Sequence, residues 1–167
     1  MLLRGKAHKF GDDINTDYII SGKYKFKTLD MNELAKHVME DLDPHFYSKI
    51  TPGDILEAGK NFGCGSSREQ APLAIKFSKI SCVLASSFAR IFYRNAINTG
   101  LPVIECDTTG IESGDELKIE LEKGVVINIT KNETIIAQPL PSFMIKILND
   151  GGVVKHFQRY SDLKFNV

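Results

Sequence analysis

Ile55-Leu56-Glu57-Ala58-Gly59, Ile80-Ser81-Cys82-Val83-Leu84-Ala85 and Leu101-Pro102-Val103-Ile104-Glu105 are three short, mainly apolar runs that read as strands. The second, a continuous apolar run, fits a strand buried on both faces, as in parallel sheets. Between the first two lies Asn61-Phe62-Gly63-Cys64-Gly65-Ser66-Ser67-Arg68-Glu69, a glycine-rich turn, and then a helix over residues 71–77. Pro72 has no amide to donate and belongs in that helix's first turn, so the regular helix begins only a few residues before it. Between the second and third runs, residues 87–98 read as a helix closed by Gly100. Strand, turn, helix, strand, helix, strand is the order of an α/β unit with right-handed crossovers.

Outward from this unit the pattern changes. Leu117-Lys118-Ile119-Glu120-Leu121-Glu122 and Val125-Val126-Ile127-Asn128-Ile129-Thr130 alternate with a period of two around Lys123-Gly124, which predicts a β-hairpin. Residues 134–137 are a candidate third strand. Residues 142–148 predict a closing helix stopped by Asp150-Gly151-Gly152, and the tail from 157 to 167 has no clear pattern. On the other side, Asp30-Met31-Asn32-Glu33 is a helix start, and Leu34, Val38 and Leu42 give it one apolar face before Asp43-Pro44 ends it. Ile19-Ile20 reads as a short strand or turn edge, and residues 21–29 as a loop carrying Lys23, Lys25 and Lys27. Gly11-Asp12-Asp13-Ile14-Asn15-Thr16-Asp17 is turn-rich, with Asp and Asn side chains suited to bonding nearby amides, and reads as an ordered loop. The fold class expected is α/β: a parallel sheet with helices plus an antiparallel β layer.

Composition narrows the function. The chain has 167 residues, 43% hydrophobic and 25% charged, with 21 basic and 21 acidic residues. That balance gives no electrostatic reason for a nucleic-acid or anionic-membrane partner. Residues 1–10 lack the apolar stretch of a secretory signal, and no run approaches the ~20 apolar residues that span a bilayer, so a cytoplasmic location is expected. Cys64, Cys82 and Cys106 are an odd number without a C-x-x-C pair, which suggests neither a disulfide framework nor a zinc site. Their spacing also lacks the pairing usual for an iron–sulfur cluster held on this chain. Cys82 sits in an apolar run and reads as a small hydrophobe. His8, His37, His45 and His156 are scattered and read as surface or capping residues.

The glycine-rich turn carries the chemistry. Glycines let a backbone approach a ligand closely, amides at a helix start attract anions, and Arg68 can grip a carboxylate through two parallel hydrogen bonds. With the Ser66 and Ser67 hydroxyls this makes a carboxylate-binding cup. Ser66-x-x-Glu69 equally matches a capping box, in which both side chains serve only the helix start. Spacing alone leaves the two open. No Gly-Lys-Ser/Thr follows, so the phosphate-loop pattern is not met. Arg90 and Arg94, four apart, share a helical face, and pairing with acids of the domain or of a partner is the expected use.

Gly63-Cys64-Gly65-Ser66-Ser67-Arg68-Glu69-Gln70-Ala71 resembles the signature of the swivelling domain of the aconitase superfamily, as does Ser87-Phe88-Ala89-Arg90-Ile91-Phe92-Tyr93-Arg94-Asn95-Ala96-Ile97-Asn98-Thr99-Gly100. Residues 11–17 are similar to the opening motif of the small subunits of isopropylmalate dehydratases and homoaconitases. The resemblance implies one swivelling β/β/α three-layer domain over residues 1–167. It implies a small subunit of a hydro-lyase that dehydrates a hydroxy-polycarboxylate and rehydrates the alkene at the neighbouring carbon, isopropylmalate first, with homoaconitate or 2,3-dimethylmalate as alternatives. It also implies a large-subunit partner that carries a [4Fe–4S] cluster, with no cofactor on this chain. By the same resemblance Ser66 takes the carbon-bound proton, Ser67 and Arg68 hold a substrate carboxylate, and Asp17 belongs to the surrounding hydrogen-bond network. Phe26 and Lys27, in the loop after the N-terminal motif, face the variable side of the substrate, unless the loop lysines are simply solvated. A non-catalytic carboxylate-binding regulatory module is the alternative of another class.

Overall fold

The computed structural model describes residues 1–25 and 30–160. In chain order the elements are strand β1 (Leu2–Lys9), helices α1 (Thr16–Ile19), α2 (Gly22–Lys25), α3 (Met31–Ala35) and α4 (Phe46–Lys49), strand β2 (Ile55–Ala58), helix α5 (Gln70–Phe77), strand β3 (Cys82–Ala85), helix α6 (Arg90–Thr99), strands β4 (Val103–Glu105), β5 (Glu116–Glu120), β6 (Val125–Asn128) and β7 (Glu133–Ile136), and helices α7 (Ser142–Asn149) and α8 (Val153–Tyr160). The strands form one sheet in the order β4-β3-β2-β1-β5-β6-β7. Its first half is parallel and its second antiparallel, as the two sequence patterns predict.

The two halves share β1. Ala7, His8 and Lys9 pair in parallel with Ile55, Leu56 and Glu57, while residues 2–6 pair antiparallel with residues 116–120. Sequence reading assigned residues 1–10 no element. The signal was a period of two, with Arg4, Lys6 and His8 alternating against Leu3, Gly5 and Ala7, but small residues on one face muted it. β2 and β3 are buried at every position, as strands covered on both faces must be, even at Glu57 in β2, whereas β5 alternates half-buried and buried.

Four further local expectations change. The helix starting at Asp30 is capped by that side chain, which accepts from the Asn32 amide at 2.9 Å, but it ends at Ala35 and not at Leu42. Residues 36–38 tighten into i→i−3 turns, and the Met39 amide, in a left-handed conformation at φ 56°, donates to the Ile19 carbonyl at 2.9 Å. Leu42 is consequently exposed. Ile19 ends a one-turn helix, α1, not a strand, and residues 22–25 form the short helix α2. The tail adds α8, which packs on α6 and α7. Gly100 closes α6 in the left-handed region at φ 80°.

Candidate active site

The glycine-rich loop is held on two sides by backbone. The Phe62 amide donates to the Ser87 carbonyl at 3.0 Å and the Phe62 carbonyl accepts from Ala89 at 2.9 Å. From the N-terminal motif, the Ile14 carbonyl accepts from the Gly63 amide at 2.7 Å and the Thr16 amide donates to the Cys64 carbonyl at 2.9 Å. Residues 61–64 thus run as a short extended segment between residues 14–16 and 87–89, with parallel bridges Asn15–Cys64 and Phe62–Phe88. The acidic side chains of the motif complete the brace: Asp12 accepts from the Lys60 amide at 2.6 Å and Asp13 from the Asn61 side chain at 2.8 Å. Beneath the loop, Phe62 meets Phe88 and Phe92 edge-to-face and Phe88 stacks on Phe92, at 5.1–6.2 Å between ring centres, aromatic pairs worth about 0.5–1.5 kcal/mol each beyond their burial. Gly63 lies directly on this cluster. A Cβ there would sit 2.2 Å from the Phe92 ring, and φ is +79°, so only glycine fits.

Beyond Gly65 the chain turns outward. Glu69 occupies the N-cap position of α5 and makes no side-chain capping bond, so the capping-box alternative is not formed. Ser66 lies before the helix and its hydroxyl is free for other work. Ser66 and Ser67 are exposed, and neither their amides nor their hydroxyls have a hydrogen-bond partner among the described residues. What fixes the turn is the Ser66 carbonyl, which accepts from the Thr16 hydroxyl at 2.8 Å. Arg68 is the inner wall. Its guanidinium meets the Asp17 carboxylate at 2.5 Å and donates to the Ile20 carbonyl at 3.3 Å, with its side chain 16% exposed against 57% for Asp17. Ser66, Ser67 and Arg68 line one cleft of ≈340 Å³. Asp17 enters through Arg68 and not as part of that wall.

Sequence reasoning missed part of this wall. Arg90 and Arg94 line the same cleft, with Asn95 beside them. Pairing with acids of this domain is not found: among the described residues neither has a carboxylate partner. Thr16 was also missed, although its place in the 11–17 motif was the available signal. Phe26 and Lys27 lie outside the described residues. The segment that leads to them is clipped down: the Tyr24 ring stacks on His37 at 3.7 Å, and the Tyr24 hydroxyl donates to Glu40 at 2.6 Å. Burial would raise the Glu40 carboxyl, but hydrogen bonds from Tyr24, His37 and Lys23 outweigh it and hold the group at about 2.

No group of three His, Cys, Asp or Glu side chains converges to hold a metal ion among the described residues. Cys82 and Cys106 are buried, and burial pushes both thiols up, Cys106 to about 12, so neither is poised to become a thiolate ligand. Among the described residues no set of side chains fits a [4Fe–4S] cluster. No helix among the described residues is long and apolar enough to cross a membrane.

Residues 16–109 match the aconitase C-terminal domain family. The chain is 57% identical to the 3-isopropylmalate dehydratase small subunit 2 of Archaeoglobus fulgidus over 98% of this chain and 99% of that one. It is 56% identical to the 3-isopropylmalate dehydratase small subunit of Caldicellulosiruptor bescii, over 93% of this chain and 94% of its relative. The crystal structure of 3-isopropylmalate dehydratase from Methanocaldococcus jannaschii superposes with a TM-score of 0.92 at 48% identity, covering 96% of each chain. The chain belongs to the aconitase C-terminal domain family, in its branch of 3-isopropylmalate dehydratase small subunits.

Proposed function

We propose that this chain is the small subunit of a heteromeric hydro-lyase that interconverts 2-isopropylmalate and 3-isopropylmalate in leucine biosynthesis, and that it acts as one swivelling domain in the cytoplasm. End-to-end similarity to named small subunits supports the substrate. The observation that carries the chemistry is the pair of free hydroxyls, Ser66 and Ser67, beside Arg68 in one open cleft.

The reaction removes a proton from carbon and a hydroxyl from its neighbour, then returns water to the alkene with the two positions exchanged. Ser66 takes and returns the carbon-bound proton. A serine hydroxyl is a weak base near neutral pH, so its deprotonated form needs positive charge and free amides nearby, which Arg68 and the turn around Ser66 supply. Arg68 binds a substrate carboxylate through its guanidinium, and Ser67 donates to the same group. Asp17 is a positioning residue that holds Arg68 in place. Phe26 meets the isopropyl group of isopropylmalate, whereas Lys27 would meet the extra carboxylate of a homoaconitate-type substrate. The [4Fe–4S] cluster belongs to the large subunit, where it supplies the Lewis acid for the departing hydroxyl.

The test is reconstitution with a cluster-bearing large subunit. Ser66→Ala lowers kcat by about 10²–10⁴-fold, the range for loss of a general base, while gel filtration shows the two subunits still assembled. Turnover by this chain alone, or an undiminished rate for the variant pair, refutes the assignment. Homoaconitate and 2,3-dimethylmalate, assayed alongside, identify the substrate.

A further inference from the structure

The chain has five arginines. Arg4, Arg68 and Arg159 each meet a carboxylate: Glu116, Asp17 and Asp150. The two without one among the described residues, Arg90 and Arg94, both line the cleft that holds Ser66, Ser67 and Arg68. Among the described residues no Asp or Glu lines that cleft; Arg68 is neutralised from behind by Asp17, which leaves Arg90 and Arg94 as its two uncompensated guanidiniums, with Glu105 in the adjoining pocket that both also line. Arg90 is the first residue of α6, whose first turn contains no acid. A cation there faces the positive end of the helix, an arrangement that costs stability. Local rules broken without a local compensation mark functional positions. Both residues are exposed, and the neighbouring wall includes Ala89, Ile91 and Phe92, apolar surface that concentrates the field of the guanidiniums in the cleft.

We infer that Arg90 and Arg94 form an outer capture site for the dianionic hydroxy-dicarboxylate, drawing a carboxylate into the mouth of the cleft before Arg68 takes it. The inference deepens the proposed function and rests on it for the identity of the substrate. Arg68 is inside, mostly buried and already oriented by Asp17. Arg90 and Arg94 stand on one face of α6 at the four-residue spacing that brings side chains together. Planar guanidiniums match carboxylate geometry, and unpaired ones need break no ion pair to accept it. Capture of this kind acts on the encounter rate, rises with the charge of the wall and weakens with ionic strength. The neutralising occupant is the substrate and not an acidic face of the large subunit, because the same cleft wall carries the free Ser66 and Ser67 hydroxyls.

The test compares wild type, R90Q/R94Q and R90K/R94K in the reconstituted pair, each at saturating large subunit, at low and high ionic strength. The expected result for R90Q/R94Q is a fall in kcat/KM of about 10–100-fold at low ionic strength, in the range of electrostatic steering effects, with kcat changed less than about threefold and the gap narrowing at high salt. R90K/R94K keeps most of the rate. An unchanged kcat/KM for R90Q/R94Q at low ionic strength overturns the inference. So does a loss confined to limiting large subunit, which would assign the α6 face to subunit docking. A second measurement does not need turnover: in the full chain, the Nε–H resonances of Arg90 and Arg94 shift on titration with succinate at constant ionic strength. Shifts with no turnover of any isopropylmalate leave the capture site standing and sink the proposed substrate. Absence of shifts, with the wild-type pair active, sinks the capture site alone.

Discussion

Glu57 offers a direct test of how this sheet is packed. It sits in β2, is 1% exposed, and its Oε2 atom has no hydrogen-bond partner among the described residues. The nearest cation does not neutralise it, since the Lys9 ammonium donates to the Ile111 carbonyl at 2.6 Å and meets Glu112 at 3.2 Å. Burial therefore dominates, against smaller opposing contributions from Thr108 and Lys9, and pushes the Glu57 carboxyl up to about 7. A folded-state value above the unfolded one means that the native state holds the proton more tightly. The associated stability is fully present below the unfolded value of 4.5 and is lost as pH rises through about 7. The gap corresponds to about 3 kcal/mol, some 6–12 °C in Tm for a domain of this size. Glu57→Gln removes the titration and keeps the shape. At pH 8 to 9 it should be more stable than wild type by about 1–3 kcal/mol, the lower end allowing for a buried amide that lacks partners. At pH 4.5 the advantage should vanish or reverse. Urea unfolding at intervals across this range reads the difference through the midpoint, with the slope unchanged. Subtracting the variant cancels Asp54 and Asp115, whose carboxyls are held below the ordinary range and act in acid. A difference that is flat from pH 4.5 to 9 refutes the reasoning, because it means Glu57 reaches water or a counter-charge in the folded protein.

Gly63→Ala should cost at least about 2 kcal/mol, the scale of overpacking a closed core, through contact with Phe92 and a positive φ. Gly11→Ala, where nothing lies within 4 Å of the added carbon, should stay within about 0.5 kcal/mol; equal urea midpoints for the two variants count against the loop geometry described above. Glu40→Gln weakens the acceptor shared by Tyr24, His37 and Lys23 and should lower stability by about 1 kcal/mol, a modest figure for a partly exposed network. It should also raise KM more than kcat in the reconstituted pair, because the segment leading to Phe26 and Lys27 loses its clip. As the Glu40 carboxyl is held at about 2, the wild-type advantage should be full above pH 4.5 and fade in stronger acid.

Where local chemistry decides structure, the sequence was legible. Strand β3 read as a continuous apolar run because both its faces are covered, and the β5–β6 hairpin read as alternation because one face is not. Pro72 and Gly100 placed the ends of α5 and α6 to within a few residues. What escaped depends on partners distant in the chain. The helix from Asp30 stops early because the Met39 amide is claimed by Ile19. Ser66-x-x-Glu69 has the letters of a capping box, yet α5 begins only at Gln70, after residues 63–66 have been tied to residues 14–16. The i,i+4 spacing of Arg90 and Arg94 was visible, but their lack of acidic partners is a property of the whole surface. The motifs at 11–17 and 63–71 were each legible as motifs, whereas the bonds between them were not.

Those bonds make the cup one cooperative unit. A helix of four residues such as α1 has no independent stability, since nucleation costs more than one turn returns. Its order comes from Asn15 capping the Tyr18 amide and from the glycine-rich loop laid against it. The loop in turn is shaped by α1: Thr16 holds the main chain of Ser66, and the next residue, Asp17, holds the side chain of Arg68. Two successive residues thus fix the two ends of the Ser66-Ser67-Arg68 triplet, one through backbone and one through charge. The exposed Asp17 carboxylate keeps its hydration, so its attraction for Arg68 is modest, on the order of 1 kcal/mol or less for a solvated pair. That is enough to orient a guanidinium already confined by the Ile20 carbonyl and Gly22, and weak enough for a second carboxylate in the cleft to share it.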